Sequence, residues 1–422
     1  MPRLPRLTPA QVVAMYSGAK RRTYERAAVS LERRPLCMED ARLTSFVKFE
    51  KQDISKAPRI INPRSPRYNL ELARFLKHAE HHYFRSVNRV FGRRTPATVI
   101  KGLNADQSGS VLRAKWEHFR RPCAIGLDAT KFDMHVSIAA LRYEHGFYTR
   151  LHNKHPVLGK LLKWQEVNEG AAYLVDGRVR FATQGTRSSG DINTSLGNCL
   201  LMCALVYAYA LERGCDIELA NNGDDCVAFL ESADERRFRE GLGEWFRKRG
   251  FAMVAEPTVH EFEQVEFCQT RPVCIGGRWR MVRTVQTILR KDPMCLVPVP
   301  SDATLKKWLG AVGECGGALS SGVPVLEAFY EMYRRWGTPA SRGFIEEVYR
   351  NRSQLQLSRG VERAVIDDRA RVSFYYAFGI TPDRQMQMEA VFRGAERTEL
   401  THEVVTRGGL TVCPGINVIT YE

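Results

Sequence analysis

The sequence predicts an α+β fold in which helices cover an antiparallel sheet. Three observations predict it: a short apolar strand ending at Asp128, alternating residues on both sides of Asp176-Gly177, and a strand–turn–strand around Gly223-Asp224-Asp225. Helical stretches separate these strands, as in α+β proteins whose helices pack on one side of the sheet. With 422 residues, of which 44% are hydrophobic, the chain can bury more than one large core.

The other elements are predicted in order from periodicity and from helix-breaking residues. Three prolines make residues 44–68 extended, because proline cannot continue a helix. Strands are expected at 121–128, 172–182 and 251–255. Helices are expected at 1–35, 69–91 and 134–152, in a long buried segment ending near 213, at 234–249, and as the main structure beyond about residue 270, including 302–312, 323–336 and 341–351.

Charge and cysteine content limit the function classes. The net charge is +16, and residues 1–100 hold 21 Lys and Arg against 8 Asp and Glu, a net +13, which favours a polyanionic partner over a merely solvated basic surface. The 11 cysteines include no Cys-x-x-Cys pair, which favours reduced thiols over disulfides or a zinc site. No signal peptide is visible, and the longest apolar run, residues 199–210, is too short to cross a bilayer.

Two acidic segments are the strongest functional signal. Asp224 and Asp225 form an adjacent pair at a turn, and Asp128 and Asp133 follow an apolar strand. Neighbouring carboxylates are costly to hold together unless a cation lies beside them, and a pair of Mg²⁺ ions is what nucleotidyl transfer needs. Asp128, Asp224 and Asp225 are therefore the predicted metal ligands and catalytic acids of a template-directed polymerase. An ordinary acidic surface turn is the alternative for either segment alone.

A glycine-rich loop runs from Gln184 into the long apolar helix. Glycine allows close approach of a main chain, so Gly185 and Gly190 are predicted to lie against the template backbone. Asn198 on the helix is expected to pair with Asp133 and to sense a ribose 2′-hydroxyl, the group that distinguishes RNA from DNA precursors. The alternative is a helix start with small residues for packing.

Basic residues in two segments are candidates for binding triphosphate and for proton transfer. Arg59 is the best bidentate phosphate ligand of the first segment, and a solvated basic edge strand is the alternative. In the second, Lys248 is a candidate general acid that protonates the leaving pyrophosphate, although Arg247 and Arg249 compete for the role and helix ends accept cations in any case. The predicted triphosphate ligands are Lys48, Lys51, Lys56 and Arg59.

Taken together and in this order, these segments resemble the RNA-dependent RNA polymerases of tombusvirus-like positive-strand RNA viruses. The resemblance covers most of the chain. It extends to a template-entry motif and to a turn that grips the primer. The matching segments are Tyr16-Ser17-Gly18 with Lys20 and Tyr24 (motif G), 48–68 (motif F), 126–137 (motif A), 185–198 (motif B), 223–225 (motif C), 246–256 (motif D) and Glu266-Phe267-Cys268-Gln269 (motif E).

The resemblance implies a right-hand polymerase fold with fingers, a palm built on an antiparallel sheet, a helical thumb and closed fingertips. The implied division is fingers at 1–122 and 140–182, palm at 123–139 and 183–270, and thumb at 271–422. It also implies copying of positive-strand viral RNA by two-metal nucleotidyl transfer, with initiation that needs no primer and with two Mg²⁺ or Mn²⁺ ions.

The resemblance assigns roles residue by residue. Asp128 and Asp224, with Asp225 assisting, would hold the metals, and the triphosphate would lie on the four basic residues named above. The nucleotide would be positioned by Asp133, Ser189, Thr194 and Asn198. RNA would contact Tyr16, Ser17, Gly18, Lys20, Gly185, Gly190, Cys268 and Gln269.

Family members usually carry the polymerase as an extension of a membrane-anchored replication protein, whereas Met1 here opens almost directly onto motif G. The expected partners are the RNA template and product, NTPs and an auxiliary viral replication protein. The expected location is the host cell cytoplasm, at membrane-bound replication complexes to which a partner recruits the chain.

Two other classes remain open from the sequence. A reverse transcriptase would share the metal-binding acids but would carry a bulky steric gate in place of the Asp133–Asn198 pair. A non-catalytic RNA-binding or packaging protein would explain the positive charge without the acids.

Overall fold

The computed structural model describes residues 4–51, 57–174, 176–348, 358–397, 405–407 and 410–412. The chain forms two compact units. The first contains Met1–Phe49, Ala57–Val99 and Ile125–Pro257, and the second contains Glu50–Lys56, Ile100–Ala124 and Thr258–Glu422.

The helices in the described residues begin where capping side chains or prolines favour a helix start. Thr8, Asn104, Ser137 and Asp367, for example, accept hydrogen bonds from the first turns of the helices that follow them. The helices are α1 (Pro9–Ala14), α2 (Gly18–Arg33), α3 (Pro66–Leu76), α4 (Glu80–Val90), α5 (Ala105–Trp116), α6 (Phe132–His135), α7 (Ile138–Leu151), α8 (Pro156–Lys163), α9 (Thr194–Arg213), α10 (Glu235–Arg239), α11 (Leu242–Lys248), α12 (Val285–Lys291), α13 (Asp302–Ser320), α14 (Leu326–Trp336), α15 (Arg342–Val348), α16 (Asp368–Phe378) and α17 (Pro382–Gly394).

Within the described residues, the strands form two four-stranded sheets and two hairpins. They are β1 (Leu43–Val47), β2 (Ile60–Ile61), β3 (Pro122–Ala129), β4 (Val167–Leu174), β5 (Gly177–Gln184), β6 (Ile217–Asn222), β7 (Asp225–Glu231), β8 (Met253–Ala255), β9 (Thr270–Ile275), β10 (Arg278–Arg283), β11 (Val405–Arg407) and β12 (Leu410–Val412).

The first unit contains the sheet that carries the acidic residues. Its strand order is β6-β7-β3-β8, with β6 antiparallel to β7 and β3 antiparallel to β8. A second sheet has the order β2-β1-β4-β5, in which β1 is parallel to β4 and the other pairs are antiparallel. The predicted strand–turn–strand around residue 223 and the predicted hairpin at 176–177 are both confirmed.

Helix α9 is central to the first unit. Its length and composition would allow it to cross a membrane, but 61% of its most apolar stretch is buried within the protein, as in the core helix of a globular fold. Leu196 and Leu200 of this helix pack with Tyr68, Phe75 and Tyr148 in one apolar cluster. This placement agrees with the predicted buried helix.

The second unit contains a hairpin and a helical core. Strands β9 and β10 pair in antiparallel register across Gly276-Gly277, and Val273 and Ile275 of the hairpin pack with Trp308 and Phe329 of the helices. The expectation that the chain is mainly helical from residue 270 is therefore wrong for residues 270–283. A two-residue Gly-Gly loop between apolar runs is a hairpin signal that outweighs the helical trend farther along the chain.

Some predicted helices have different bounds in the structure. The segment 234–249 is divided into α10 and α11, and the segment 69–91 into α3 and α4. The predicted helix at 302–312 continues to Ser320 as α13. The ten cysteines that the structure describes are all free thiols, as the absence of Cys-x-x-Cys pairs predicts.

Candidate functional site

The turn between β6 and β7 carries the adjacent acidic pair. Asn222 pairs with Asp225 across the hairpin, and Gly223 has a φ of 81°, in the left-handed region that favours glycine. The buried Asn221 amide donates to the carbonyls of Gly223 (2.8 Å) and Asp225 (3.3 Å), and these hydrogen bonds hold the main chain of the turn in place. The side chains of Asp224 and Asp225 are exposed.

Asp128 lies on β3, the strand beside β7 in the sheet. Leu127 and Ala129 are buried while Asp128 is exposed, because successive side chains of a strand point to opposite faces. Since β7 begins at Asp225, the two acidic segments lie on neighbouring strands of one sheet. The part of the chain that the structure describes holds no group of three or more His, Cys, Asp or Glu arranged to bind a metal ion.

Asp133 belongs to the same site. It lies on the short helix α6, and its carboxylate accepts a 2.7 Å hydrogen bond from Nδ2 of Asn198. Burial raises the pKa of Asp133, the Asn198 hydrogen bond and the charges of Arg187 and Arg59 oppose this rise, and the charge of Asp224 adds to it. The structure therefore brings Asn198, Arg59 and Asp224 each within electrostatic range of Asp133.

The glycine-rich loop is fixed by its own polar groups. The Thr194 hydroxyl donates to the carbonyls of Ser188 (2.7 Å) and Asp191 (3.0 Å), and Ser189 Oγ accepts from the main-chain nitrogen of Asn62 (3.4 Å). Thr194 and Ser189 thus stabilise the loop in this structure, and their predicted roles in positioning the nucleotide stay predictions.

Protein main chain occupies the space beside both glycines of the loop. A Cβ on Gly190 would overlap Cα of Pro63, and a Cβ on Gly185 would lie 2.9 Å from the nitrogen of Ile138. Glycine at 190 is therefore needed for a close approach of two backbone segments within the protein. The predicted contact of both glycines with RNA stays a prediction.

A buried ion pair lies directly behind Asn198. Arg187 and Glu144 form a salt bridge with side-chain exposures of 1% and 0%. Arg187 Nε also donates to Oδ1 of Asn198 (3.1 Å), while Glu144 accepts from the Tyr148 hydroxyl (2.7 Å) and from Asn193 (3.0 Å). Burial acts to lower the pKa of Arg187, but the Glu144 charge and hydrogen bonds outweigh it and the pKa is raised, so the guanidinium stays charged.

A second buried ion pair holds the loop from its other side. Arg64 donates to both carboxylate oxygens of Asp191, to the carbonyls of Ala41 (2.6 Å) and Trp164 (3.3 Å), and to Asn168. The side chains of Arg64 and Asp191 are 1% and 3% exposed. The Gln165 amide joins Asp191 (3.1 Å) to Asn193 (2.9 Å), which connects the two ion pairs.

This network was not predicted from the sequence. One signal was available on α7, where Leu141, Tyr148 and Leu151 mark the buried face of the helix. Glu144 falls on the same face, and a carboxylate there requires a buried cation as a partner. Helical spacing could therefore have identified Glu144, although nothing in the local pattern identifies Arg187 as its partner.

We expect the stability of the first unit to fall with acidification because of His145. Burial lowers the pKa of this imidazole, which bonds Gln165 through Nε2 (3.2 Å). Below the ordinary pKa of 6.5, His145 binds a proton more readily in the unfolded chain than in the folded chain. The free energy of unfolding therefore falls by up to about 1.4 kcal/mol for each pH unit of acidification. Thermal melts check this expectation. Between pH 7.5 and 5.5, the melting temperature should fall less in His145→Gln than in wild type. An exposed control, His81→Gln, should keep the wild-type slope, and equal slopes in all three proteins would contradict the expectation.

The predicted triphosphate ligands have different surroundings. Arg59 is exposed and its carbonyl accepts from the main-chain nitrogen of Lys48 (2.8 Å), so these two lie on adjacent strand ends in the first unit. Lys51 belongs to the second unit, where burial lowers the pKa of its ammonium and the charge of Asp292 opposes that change. Lys56 lies outside the described residues.

Lys248 ends helix α11 on the protein surface. Its ammonium forms an exposed ion pair with Glu244 (2.8 Å), four residues earlier on the same helix. The structure therefore pairs Lys248 with Glu244 and records no contact of Lys248 with the acidic residues of the sheet among the described residues. Its role as a general acid stays a prediction.

The predicted RNA contacts of motifs G and E lie at chain turns. Ser17 and Gly18 are exposed at the start of α2, and Lys20 lies over the ring of Tyr16 (5.0 Å). In the second unit, Cys268 and Gln269 have φ angles of 52° and 59° and form a tight turn closed by hydrogen bonds between residues 267 and 270. The turn expected at motif E is confirmed, while RNA contact at both places stays a prediction.

Comparisons with known proteins identify the family of this chain. The family model described as viral RNA dependent RNA polymerase matches residues 1–400. The chain is 45% identical over 382 residues to the RNA-directed RNA polymerase of Tomato bushy stunt virus (strain Cherry), covering 89% of this chain and 46% of that protein. It is 41% identical over 413 residues to that of Tobacco necrosis virus (strain A), covering 95% and 55%, and 39% identical over 388 residues to that of Turnip crinkle virus, covering 90% and 49%.

The chain spans about half the length of the curated relatives that it matches. The family model nevertheless covers nearly all of this chain, including both acidic segments, the glycine-rich loop and helix α9. The chain therefore belongs to the family of viral RNA-dependent RNA polymerases.

Proposed function

We propose that this chain is the catalytic part of a viral replicase that copies positive-strand RNA by nucleotidyl transfer. Three relatives carry the name RNA-directed RNA polymerase. The observation that carries the proposal is the Asp133–Asn198 hydrogen bond, which lies within electrostatic range of Asp224. Asp224 is at the end of a strand pair whose neighbouring strand bears Asp128. Such a polar pair favours a nucleotide with a 2′-hydroxyl, whereas a reverse transcriptase would exclude that group by bulk.

The proposed layout is that of a right hand with closed fingertips. The sheet β6-β7-β3-β8 would belong to the palm, the basic amino-terminal quarter to the fingers, and the helices after β10 to the thumb. The mixture of helix and strand supports this assignment. The bounds that we propose for fingers, palm and thumb are those predicted from the sequence.

The acidic residues suit hard divalent cations. Asp128, Asp224 and Asp225 offer only oxygen donors and are exposed, which is the chemistry that Mg²⁺ and Mn²⁺ prefer. Mg²⁺ commonly binds through one or two carboxylates together with water and substrate phosphates, so a cluster of three protein ligands is not required. Two such ions, when bound, would lower the pKa of the RNA 3′-hydroxyl and balance the negative charge of the leaving pyrophosphate.

The protein's own side chains would act on the sugar and the phosphates. Asp133 accepts, and Asn198 donates, hydrogen bonds at the place where the ribose would lie. Arg59, whose charge acts on Asp133, has a planar guanidinium that can bind phosphate oxygens in a bidentate manner. The expected effect of this arrangement is selection for NTPs and alignment of the α-phosphate with the RNA end.

RNA template, RNA product and NTPs are the proposed ligands, and an auxiliary viral replication protein is a proposed partner. The strongly basic first hundred residues support RNA binding that weakens as salt increases. We further propose that a partner recruits the chain to membrane-bound replication complexes in the host cytoplasm.

A direct assay tests the function. Purified protein is incubated with a short RNA template, labelled NTPs and Mg²⁺ or Mn²⁺, with and without an RNA primer. We expect a template-length product in both reactions and none when a chelator replaces the cations. RNA binding without any synthesis would favour the packaging or RNA-binding alternative, and synthesis only with dNTPs would favour a reverse transcriptase.

Replacing Asn198 with alanine should relax sugar selection. The change removes the donor to Asp133, so the preference for an NTP over its dNTP should fall roughly tenfold, the equivalent of a hydrogen bond to a charged group. Single-nucleotide incorporation measures kcat/KM for both nucleotides. Asn88→Ala is a matched control, because Asn88 makes its amide hydrogen bonds with Thr95 and Thr98. Unchanged selectivity in Asn198→Ala would contradict the proposed role.

A further inference from the structure

The side-chain amide of Asn198 has two chemically different ends, and only one of them suits Asp133. The carboxylate of Asp133 accepts a hydrogen bond from Nδ2. If the amide turned over, Oδ1 would face the carboxylate, and two acceptors would repel each other. The function proposed for this pair therefore requires something that holds the amide in one orientation.

Arg187 supplies that restraint. Its Nε lies 3.1 Å from Oδ1 of Asn198, and a guanidinium can only donate, so this contact is possible only with Oδ1 on the Arg187 side. The two terminal nitrogens of the guanidinium donate to Glu144, which also accepts hydrogen bonds from Tyr148 and Asn193. The chain of contacts from Glu144 through Arg187 and Asn198 to Asp133 is continuous and nearly all buried.

We infer that Arg187, held by Glu144, is a positioning residue for ribose selection: it fixes the Asn198 amide so that the amide donor faces Asp133. The inference rests on the proposed function, since it concerns the nucleotide site. It adds two residues that touch neither substrate nor metal. Arg187 acts through Asn198, and Glu144 acts through Arg187.

The plain alternative is that the ion pair only stabilises the fold. Both side chains are buried, and removal of one partner would leave a buried charge without compensation. A single substitution at 144 or 187 therefore could not separate the two explanations, because loss of folding would reduce every activity. The test must remove the contact with Asn198 and keep the site electrically neutral.

The double variant Glu144→Gln/Arg187→Met meets this condition. The glutamine introduced at position 144 can still accept from Tyr148 and Asn193, while the methionine introduced at position 187 fills much of the volume of arginine without its charge. The matched control is Glu389→Gln/Arg371→Met, which neutralises an ion pair of the second unit that includes a buried glutamate. Thermal melts of both variants and of wild type establish that each protein is folded.

We expect the double variant to incorporate NTPs and to lose about fivefold of its preference for NTP over dNTP. This loss is smaller than in Asn198→Ala, because the amide is still present but is no longer held in one orientation. The control should keep the wild-type preference. Folded double variant with unchanged preference would overturn the inference while leaving the proposed function intact. Wild-type protein that incorporates no nucleotide would instead refute the proposed function.

A cycle with Asn198→Ala separates positioning from general disturbance. If Arg187 acts through Asn198, adding the double variant to Asn198→Ala should cause no further loss of sugar preference, although the two changes alone each reduce it. If the loss of preference in the combined protein equals the product of the two separate losses, the ion pair acts by another route, and the inference is overturned. The combined variant must again melt cooperatively.

Discussion

Replacing Asp224 with alanine should reduce RNA synthesis by about 10³-fold or more. The change removes a carboxylate that would hold a metal ion, and a cationic group that stabilises a transferring phosphoryl group is worth about 10³–10⁵-fold. Asp224 is exposed at the β6–β7 turn, so its removal does not disturb the core. Its charge also contributes to the raised pKa of Asp133, which should fall in the variant. Primer extension with Mg²⁺ and with Mn²⁺ measures the loss, and filter binding measures RNA affinity, which should stay within a few-fold of wild type.

Asp216→Ala is the matched control for this change. Asp216 lies at the opposite end of the same strand pair, where it forms an ion pair with Arg94, and its side chain is 60% exposed. The control should retain wild-type synthesis, since it keeps both acidic segments. Synthesis that survives in Asp224→Ala would refute the proposed catalytic site.

Replacing Arg64 with methionine should cause a large loss of stability. Arg64 binds Asp191 and Asn168, and two main-chain carbonyls, from a position with 1% side-chain exposure. Methionine would leave the buried Asp191 carboxylate unpaired, which costs about 3–5 kcal/mol. Thermal melts should show the midpoint lowered by roughly 10 °C.

Two further variants test the cause of that loss. Arg64→Met/Asp191→Asn should recover much of the melting temperature, because the second change removes the unpaired charge. Arg142→Met removes an arginine whose side chain is 66% exposed and pairs with Glu166, and it should change the melting temperature far less than Arg64→Met does. An Arg64→Met protein as stable as wild type would show that the buried network does not support the loop.

The sequence predicts the elements that carry local signals. Alternating residues around 176–177 and the apolar strands that flank residue 223 identify the hairpins, because a strand has a period of two and a tight turn has its own residue types. The same reasoning applied to Gly276-Gly277 would have identified β9 and β10. That hairpin was missed because the helical trend of the later sequence was extended over it.

The sequence predicts those parts of the candidate site that depend on residue type. It predicts only some of the contacts between residues that are far apart in the chain. The pairing of Asp133 with Asn198 was predicted from the sequence, and the structure confirms their hydrogen bond. Arg64 and Asp191 are 127 residues apart, and no periodicity identifies one buried charge as the partner of another at that separation. Long-range ion pairs are determined by the packed fold and not by local patterns.

The close approach at Gly190 bears on how this motif is interpreted in related sequences. Its backbone lies so near Pro63 that even a methyl group would overlap it. Glycine at this position therefore meets an architectural demand that exists before any substrate arrives. If glycine were invariant at this position among homologues, the close packing of two backbone segments would be a sufficient reason. Such invariance would not by itself indicate contact with a nucleic acid.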